Sequence, residues 1–563
     1  MIKLTDCLAK FFKVNGNKKA FGLQGGAVAH IFDSLEKYKI DVTYNHHEES
    51  SALAGVACSK LTSKPSLVVV TSGPGGTNAI TGLLAAWQDS IPCIFISGQV
   101  RTDHVSYGKK VRQIGTQESK IVDIVKPIAK KATFVNDKNK FYCILKESYE
   151  IAISGRPGPV WIDIPLNLQW ELIKEPKNYS FKNLNKNKTK NNYSKFSKEF
   201  NLSKNPLLIL GYGLRLSGKL KDYLKIIKNK KFNFVTTWTA ADYLPTNYKN
   251  NLGIIGMRGQ RGANKAVFDS DFILCLGTHL SIPHTTTLTK EYAPKSKKAI
   301  INIDPDQLNN LSIKFDYKFN ESLEKFFFVF KNLTSKNSKD TKNFKKLNWY
   351  MPKSNIKPNS NIFYYKLTSQ SPMKSCFIVD GGGTALYTGF QSLSIKSNQR
   401  VICSSGMSAM GTGLAETIGA YKSNLFKKLY CIIGDGSFLM NIQDLQTIKS
   451  ENIPAVIIVV NNNGYLAIRQ TQQGFLKNKY YGTHPKWSLK MPNIGNVAKG
   501  FGFDFIKIDK TKDIQKGIKK LTTFNKPIIC ELVVQENQGE LFRQKYHIGK
   551  KNYPLPLNEM WPY

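Results

Sequence analysis

Leu429-Tyr430-Cys431-Ile432-Ile433-Gly434-Asp435-Gly436-Ser437, with Ala455-Val456-Ile457-Ile458-Val459-Val460-Asn461-Asn462-Asn463-Gly464 downstream, decides the fold of the last third of the chain. Leu429 to Ile433 and Ala455 to Val460 are short apolar runs of the kind buried in a parallel sheet. Between them Ile442, Leu445 and Ile448 recur at helical spacing, and Asn441 is placed to cap that helix. Strand, helix and strand make a βαβ unit, whose two parallel strands end at the same sheet edge. Asp435 and Asn462 therefore meet there. A carboxylate and an amide oxygen are hard ligands that suit Mg²⁺, which takes the rest of its octahedron from phosphate oxygens and water. Gly434 and Gly436 let backbone come close to such phosphates. The pair reads as a site for a metal-bound diphosphate.

Working outward, 563 residues are too many for one core. Apolar runs such as Leu67 to Val70, Ile94 to Ser97 and Val160 to Ile164 alternate with helical patterns and glycine turns. The same alternation resumes at Pro206 to Leu210, Phe272 to Gly277 and Ala299 to Pro305. Two basic, polar stretches, Lys174 to Glu199 and Thr334 to Asn359, read as linkers. We expect an α/β protein of three doubly wound parallel-sheet domains at 1–172, 195–335 and 360–540. An irregular, proline-bearing tail is expected at 541–563. The first and third segments could be two copies of one architecture.

A formal net charge of +41 invites a nucleic-acid reading. The excess is mostly lysine spread along the whole chain, with little arginine for reading bases, so we expect a solvated basic surface and no nucleic-acid partner. No apolar run approaches the ~18 residues that would span a membrane, and Met1 to Phe12 lack a signal-peptide core. Nine scattered cysteines without a CxxC pair fit a reduced, cytoplasmic protein.

Further motifs gather in the first segment. They are Phe21-Gly22-Leu23-Gln24-Gly25-Gly26-Ala27, His47-Glu48, Lys64-Pro65, Thr71-Ser72-Gly73-Pro74-Gly75-Gly76-Thr77-Asn78, Ile96-Ser97-Gly98-Gln99 and Ser154-Gly155-Arg156-Pro157-Gly158-Pro159. With Gly434-Asp435-Gly436, Asn461-Asn462 and Met440-Asn441-Ile442-Gln443-Asp444-Leu445, they make the chain resemble the thiamine-diphosphate enzymes of the acetolactate synthase group. The likeness runs over nearly the whole length. It implies a pyrimidine-binding first domain, a central domain and a diphosphate-binding third domain.

Roles follow from the resemblance, residue by residue. Glu48 matches the glutamate that hydrogen-bonds the cofactor's pyrimidine ring. Met410 matches the apolar prop that bends the cofactor, and Ser408 would offer it a backbone carbonyl. Asp435, the Asn462 side chain and the Gly464 carbonyl would hold Mg²⁺, within a cofactor pocket that includes Gly434, Gly436, Ser437, Tyr465 and Leu466. Gly25, Gly26 and Gln117 match residues beside the reacting 2-oxo acid donor. The resemblance also implies a homodimer or homotetramer, because Glu48 and the diphosphate site then belong to different subunits. It admits FAD in the central domain and a regulatory subunit.

Four departures from the group stand out, of which those at Thr471 and at the flavin-contacting pattern bear on the product. Thr471 stands where the group has a bulky tryptophan that shapes the acceptor pocket, which favours an acceptor larger than pyruvate. Thr116 replaces an aromatic residue before Gln117. Gly277-Thr278-His279-Leu280-Ser281 lacks the arginine of the flavin-contacting pattern, leaving Gly211-Tyr212-Gly213 and Gly256-Met257-Arg258-Gly259 as a weak nucleotide signal. Asp380-Gly381-Gly382-Gly383-Thr384-Ala385 lacks the group's Gln-His diphosphate contacts. The expected function is a carboligase that decarboxylates pyruvate or a related 2-oxo acid and passes the acyl anion to a carbonyl acceptor. That acceptor is a second 2-oxo acid or a nucleotide-linked keto-sugar. A simple 2-oxo acid decarboxylase, a C–C hydrolase and a non-enzymatic basic scaffold are the alternatives.

Overall fold

In the computed structural model, which describes residues 1–16, 18–180, 191–334, 341–350, 352, 356–547 and 553–561, three six-stranded sheets each form the centre of one domain. Every strand pair inside them is parallel. The first sheet has the spatial order Asp41–Tyr44, Lys19–Gly22, Ser66–Val70, Cys93–Gln99, Val160–Pro165, Lys131–Phe134. The third runs Arg400–Ile402, Ser375–Val379, Lys428–Gly434, Ala455–Asn461, Ile528–Val533, Asp504–Ile508. Numbered by position along the chain, both read 2-1-3-4-6-5, so the two outer domains are copies of one architecture. The central sheet differs: Asn251–Ile254, Phe234–Thr236, Pro206–Leu210, Phe272–Leu276, Lys297–Asn302 and Tyr317–Asn320 read 3-2-1-4-5-6. The expected three doubly wound domains are present.

Central strands such as Ser66–Val70 and Ser375–Val379 are buried along their whole length. Helices cover both faces of such a sheet, so the apolar residues run on without alternating. The strand order reverses between the first and third strands of each outer sheet. Parallel strands leave a crevice at their carboxyl ends at such a point, and ligands bind there. In the first domain the crevice lies between the turns after Gly22 and Val70, and in the third between those after Val379 and Gly434.

The outer domains meet through the helices Glu48–Thr62 and Thr412–Lys422. The approach is close enough that a Cβ on Gly419 would lie 2.1 Å from the Ala54 carbonyl oxygen. Lys60 is buried at this contact, where its ammonium donates to Asp89 (2.9 Å) and to the Cys403 carbonyl (2.6 Å). Asp89 also accepts from the backbone of Ser405 and Gly406. The central domain is pinned by Asp242, fully buried between Arg215 and Arg400 at 2.6 Å each. Gln391 ties all this to the end of the chain: its amide nitrogen donates to the carbonyls of Arg258, Gly259 and Phe542, and its oxygen accepts from Leu541 N.

Three sequence readings need correction. Asn441 does not cap a helix: that helix is Asp444–Ser450, preceded by Gln443. The Asn441 amide instead donates to the Gly411 carbonyl and accepts from the Ser50 hydroxyl, contacts that outcompete a local cap. The polar stretch to Glu199 ends in a helix, Ser194–Leu202, because Phe196 and Phe200 recur at helical spacing and bury in the central core; its residues 181–190 lie outside the described residues. The second polar stretch likewise contains the helix Thr341–Lys346, with Phe344 buried. The tail holds two short antiparallel pairs, Arg543–Gln544 with Met560–Trp561 and Tyr546–His547 with Tyr553–Pro554.

Candidate active site

Asp435 opens a short helix, Asp435–Phe438, directly after the strand Lys428–Gly434. One of its oxygens accepts from the Gly436 N–H at 2.9 Å and the other from the Gly464 N–H at 2.9 Å. Burial outweighs those bonds and pushes its carboxyl up to about 6. Asn462 follows the neighbouring strand Ala455–Asn461, and its Nδ2 donates to Thr384 Oγ1 at 3.2 Å. That bond fixes the amide so that Oδ1 is buried with no hydrogen-bond partner among the described residues. A buried carboxylate raised by desolvation and an unpaired amide oxygen, two hard donors on adjacent strand ends, are what a divalent cation would relieve. The residues therefore fit Mg²⁺.

The turn that carries Asn462 is unusual. Asn463 has φ +62° and Gly464 φ +120°, and a Cβ on Gly464 would fall 2.4 Å from the Thr483 carbonyl oxygen. The Tyr465 ring lies on Gly436, so close that a Cβ there would be 2.0 Å from Cε1, and Leu466 is buried at the start of the helix Leu466–Phe475. Gly434 has open space where a side chain would stand. Ser437 is buried beside Asp380, whose own carboxyl is pushed to about 6 by burial.

Across the same crevice, Ser408 takes a left-handed backbone conformation (φ +50°), and Ala409 and Met410 press against Gly381 and Gly382. A Cβ on Gly382 would be 2.3 Å from Met410 Cγ. The small residues after Asp380 thus make room for the Met410 segment. Ser408, Met410, Gly434, Asp435, Gly436, Ser437, Asn462, Gly464, Tyr465 and Leu466 all come together around one switch point.

The first domain repeats the arrangement. Glu48 is the first residue of the helix Glu48–Thr62, behind an N-cap in which His47 Nδ1 accepts from the Glu49 N–H. It is buried, and Asn78 Nδ2 donates to its Oε2 at 3.0 Å. A helix N-terminus favours a carboxylate there. Gly25 packs on Thr71 so tightly that a Cβ would sit 2.5 Å from that side chain, whereas Gly26 faces open space. Gln117 adopts φ +62°, and its carbonyl oxygen would lie 2.7 Å from a Cβ on Gly73. Gly25, Gln117 and Glu48 thus surround the Thr71–Asn78 turn, although the Gln117 side chain is exposed. Sequence reasoning had no role for Thr384, Asn78 or Thr71, whose buried Oγ1 lacks a partner among the described residues. Asn78 and Thr71 lay inside a quoted glycine motif, which was their only signal.

The central crevice fits a flavin dinucleotide poorly. Such a site needs free glycine N–H groups for the pyrophosphate. Here Gly211 N donates to Leu276 O and Gly213 N to Gly277 O, each at 2.9 Å, so the two facing turns satisfy one another. Arg215, Arg156 and Arg258 are each taken by a carboxylate, from Asp242, Asp304 and Glu540. Trp238 fills the carboxyl end of Phe234–Thr236, stacked on Phe390 at 5.8 Å.

The geometry places two switch-point crevices on twin domains, one beside the helix-start Glu48 and one beside Asp435 and Asn462. Comparison with known families agrees. Residues 2–124 match the N-terminal TPP binding domain of thiamine pyrophosphate enzymes, 194–319 their central domain and 381–532 their C-terminal TPP binding domain. The chain is 28% identical to the acetolactate synthase large subunit of Lactococcus lactis, covering 92% of this chain and 90% of the relative. It is 30% identical to the large subunit of Buchnera aphidicola from Acyrthosiphon pisum, covering 89% of both chains. With the chloroplastic acetolactate synthase 1 of Zea mays it shares 27% identity over 96% of this chain and 86% of the relative. The chain belongs to the acetolactate synthase family of thiamine-diphosphate enzymes. It is a thiamine-diphosphate-dependent enzyme.

Proposed function

We propose that the enzyme is a carboligase. It decarboxylates pyruvate or a related 2-oxo acid and transfers the acyl unit to a carbonyl acceptor. The observation that carries this reading is the Asp435–Asn462 cradle with its unpaired Oδ1, present on the same chain as the buried, helix-start Glu48. When bound, thiamine diphosphate supplies a nucleophilic carbon and an electron sink. Asp435, the Asn462 side chain and the Gly464 carbonyl would hold Mg²⁺ and, through it, the diphosphate. Ser408 would present a carbonyl to the pyrimidine amino group, and Met410 would support the bend of the cofactor.

Glu48, oriented by Asn78, would hold a proton against the pyrimidine ring nitrogen. Gly25, Gly26 and Gln117 would border the donor. In the family arrangement Glu48 serves the cofactor of a second subunit, so a homodimer is part of this reading. The exposed apolar side chains Ile468, Phe475, Leu476 and Tyr481, beside the metal turn, support a covering partner. No helix among the described residues is long and apolar enough to cross a membrane, and a cytoplasmic setting is our reading from the nine scattered cysteines without a CxxC pair.

Thr471 is exposed on the helix Leu466–Phe475, and its small side chain favours an acceptor bulkier than pyruvate, such as a nucleotide-linked keto-sugar. FAD takes no part in the steps proposed, for the reasons of fit given above. A mass-spectrometric product screen decides among acceptors. Pyruvate with a keto-sugar nucleotide should yield a branched adduct. Abundant acetolactate from pyruvate alone would instead make a second 2-oxo acid the acceptor. Release of aldehyde or acid without a new C–C bond would overturn the carboligase.

A further inference from the structure

Arg469 is 4% exposed and forms no ion pair among the described residues. Its guanidinium is occupied by four backbone carbonyls. Nη1 donates to Asn463 O (2.9 Å) and Thr483 O (3.1 Å), and Nη2 to Asn462 O (2.8 Å) and Glu536 O (2.9 Å). Two of these belong to the left-handed turn that carries the metal ligands, and the other two anchor that turn to separate segments. Arginine suits this task, since its planar fork offers five donors in a fixed geometry and stays charged when buried. The side chain of Glu536 adds a strut, accepting from Asn463 Nδ2 at 2.8 Å.

The turn needs such support. Asn463 and Gly464 have consecutive positive φ values, and this conformation persists only where the surroundings impose it. By drawing the carbonyls of Asn462 and Asn463 to one side, Arg469 leaves the Asn462 side chain pinned by Thr384 with Oδ1 free. On the other side Asp435 takes the Gly464 N–H.

We propose that Arg469 is a positioning residue for the metal site: it holds the Asn462–Gly464 turn in the shape that presents oxygen ligands to Mg²⁺. This inference rests on the Mg²⁺ site of the proposed function. It makes a prediction opposite to plain electrostatics. A positive charge this near Asp435 repels Mg²⁺, so on Coulomb grounds its removal should tighten metal binding. If its role is to set ligand geometry, removal weakens binding instead.

The test uses the full chain with Arg469→Met and Arg469→Lys, titrating Mg²⁺ at fixed thiamine diphosphate by calorimetry, with the melting temperature of the metal-free protein measured alongside. The Mg²⁺ concentration for half-maximal cofactor uptake should rise about 10- to 100-fold in Arg469→Met, as for other residues that orient metal ligands. It should rise less in Arg469→Lys, which keeps the charge and part of the donor set and carries the test if the methionine variant fails to fold. Half-saturation that is unchanged or lower, even with a lower melting temperature, would overturn the positioning role. Wild-type protein that takes up the cofactor without any need for Mg²⁺ would overturn the metal site itself.

Discussion

Glu48 and Asp435 are both buried carboxyls at the start of a helix, yet their surroundings set them different tasks. Asp435 accepts two backbone N–H groups and faces an unpaired amide oxygen, which suits a cation. Glu48 accepts one side-chain amide and otherwise meets the Gly75 turn, which suits a single hydrogen-bonded ligand. Glu48→Gln keeps the shape but cannot move a proton. We expect turnover to fall about 10²- to 10⁴-fold, the usual worth of a positioned acid–base group, while cofactor uptake is largely retained. Steady-state kinetics beside calorimetry separates the two, and near-normal turnover would refute the assignment. Asp435 was legible because it ends an apolar run within a glycine motif, whereas Glu48 was legible only through the resemblance that His47-Glu48 helps to carry. Arg469 was not legible. Nothing in the local sequence marks its four carbonyl partners, two of which come from Thr483 and Glu536.

At the scale of elements, the βαβ reading held because Lys428–Gly434 and Ala455–Asn461 are buried along nearly their whole length, which leaves apolar runs in the sequence. The Asn441 cap failed because its amide oxygen, the atom a cap would use, accepts from the Ser50 and Gln443 side chains while its nitrogen is held by the Gly411 carbonyl. The helix Ser194–Leu202 was obscured by its lysines and asparagines, although Phe196 and Phe200 carried the period. The turn from Asn462 to Tyr465 is the element most exposed to test. Gly464 has φ +120° with Thr483 O in the path of any Cβ, so Gly464→Ala should cost on the order of 1–3 kcal/mol of local strain. We expect a lower melting temperature together with weaker Mg²⁺-dependent cofactor uptake. Unchanged values for both would mean that the turn is not held as described.

For the whole molecule, twin outer domains place two switch-point crevices in one chain, and the central domain braces them through Asp242 and Tyr212, whose hydroxyl donates to the Lys60 carbonyl. None of these braces was readable in advance, because each joins residues remote in sequence. The contact between the outer domains also carries a titration. Glu416, buried near the Lys60–Asp89 pair, is pushed from 4.5 to about 8 by loss of solvent, and its Oε2 has no partner among the described residues. A folded-state pKa above the unfolded one means that the protonated form is stabilised by folding. That contribution is fully present below about pH 4.5 and is lost as pH rises through about 8. Glu416→Gln should flatten the decline of melting temperature between about pH 5 and about pH 8, and an unaltered decline would place the titration elsewhere. The central claim is that the Asp435–Asn462 cradle holds thiamine diphosphate through Mg²⁺. Calorimetric titration of the cofactor into wild-type and Asp435→Ala protein, each with and without Mg²⁺, tests it most directly. We predict saturable, Mg²⁺-dependent binding by the wild type that Asp435→Ala loses; binding that survives that substitution, or needs no divalent metal, would contradict the account.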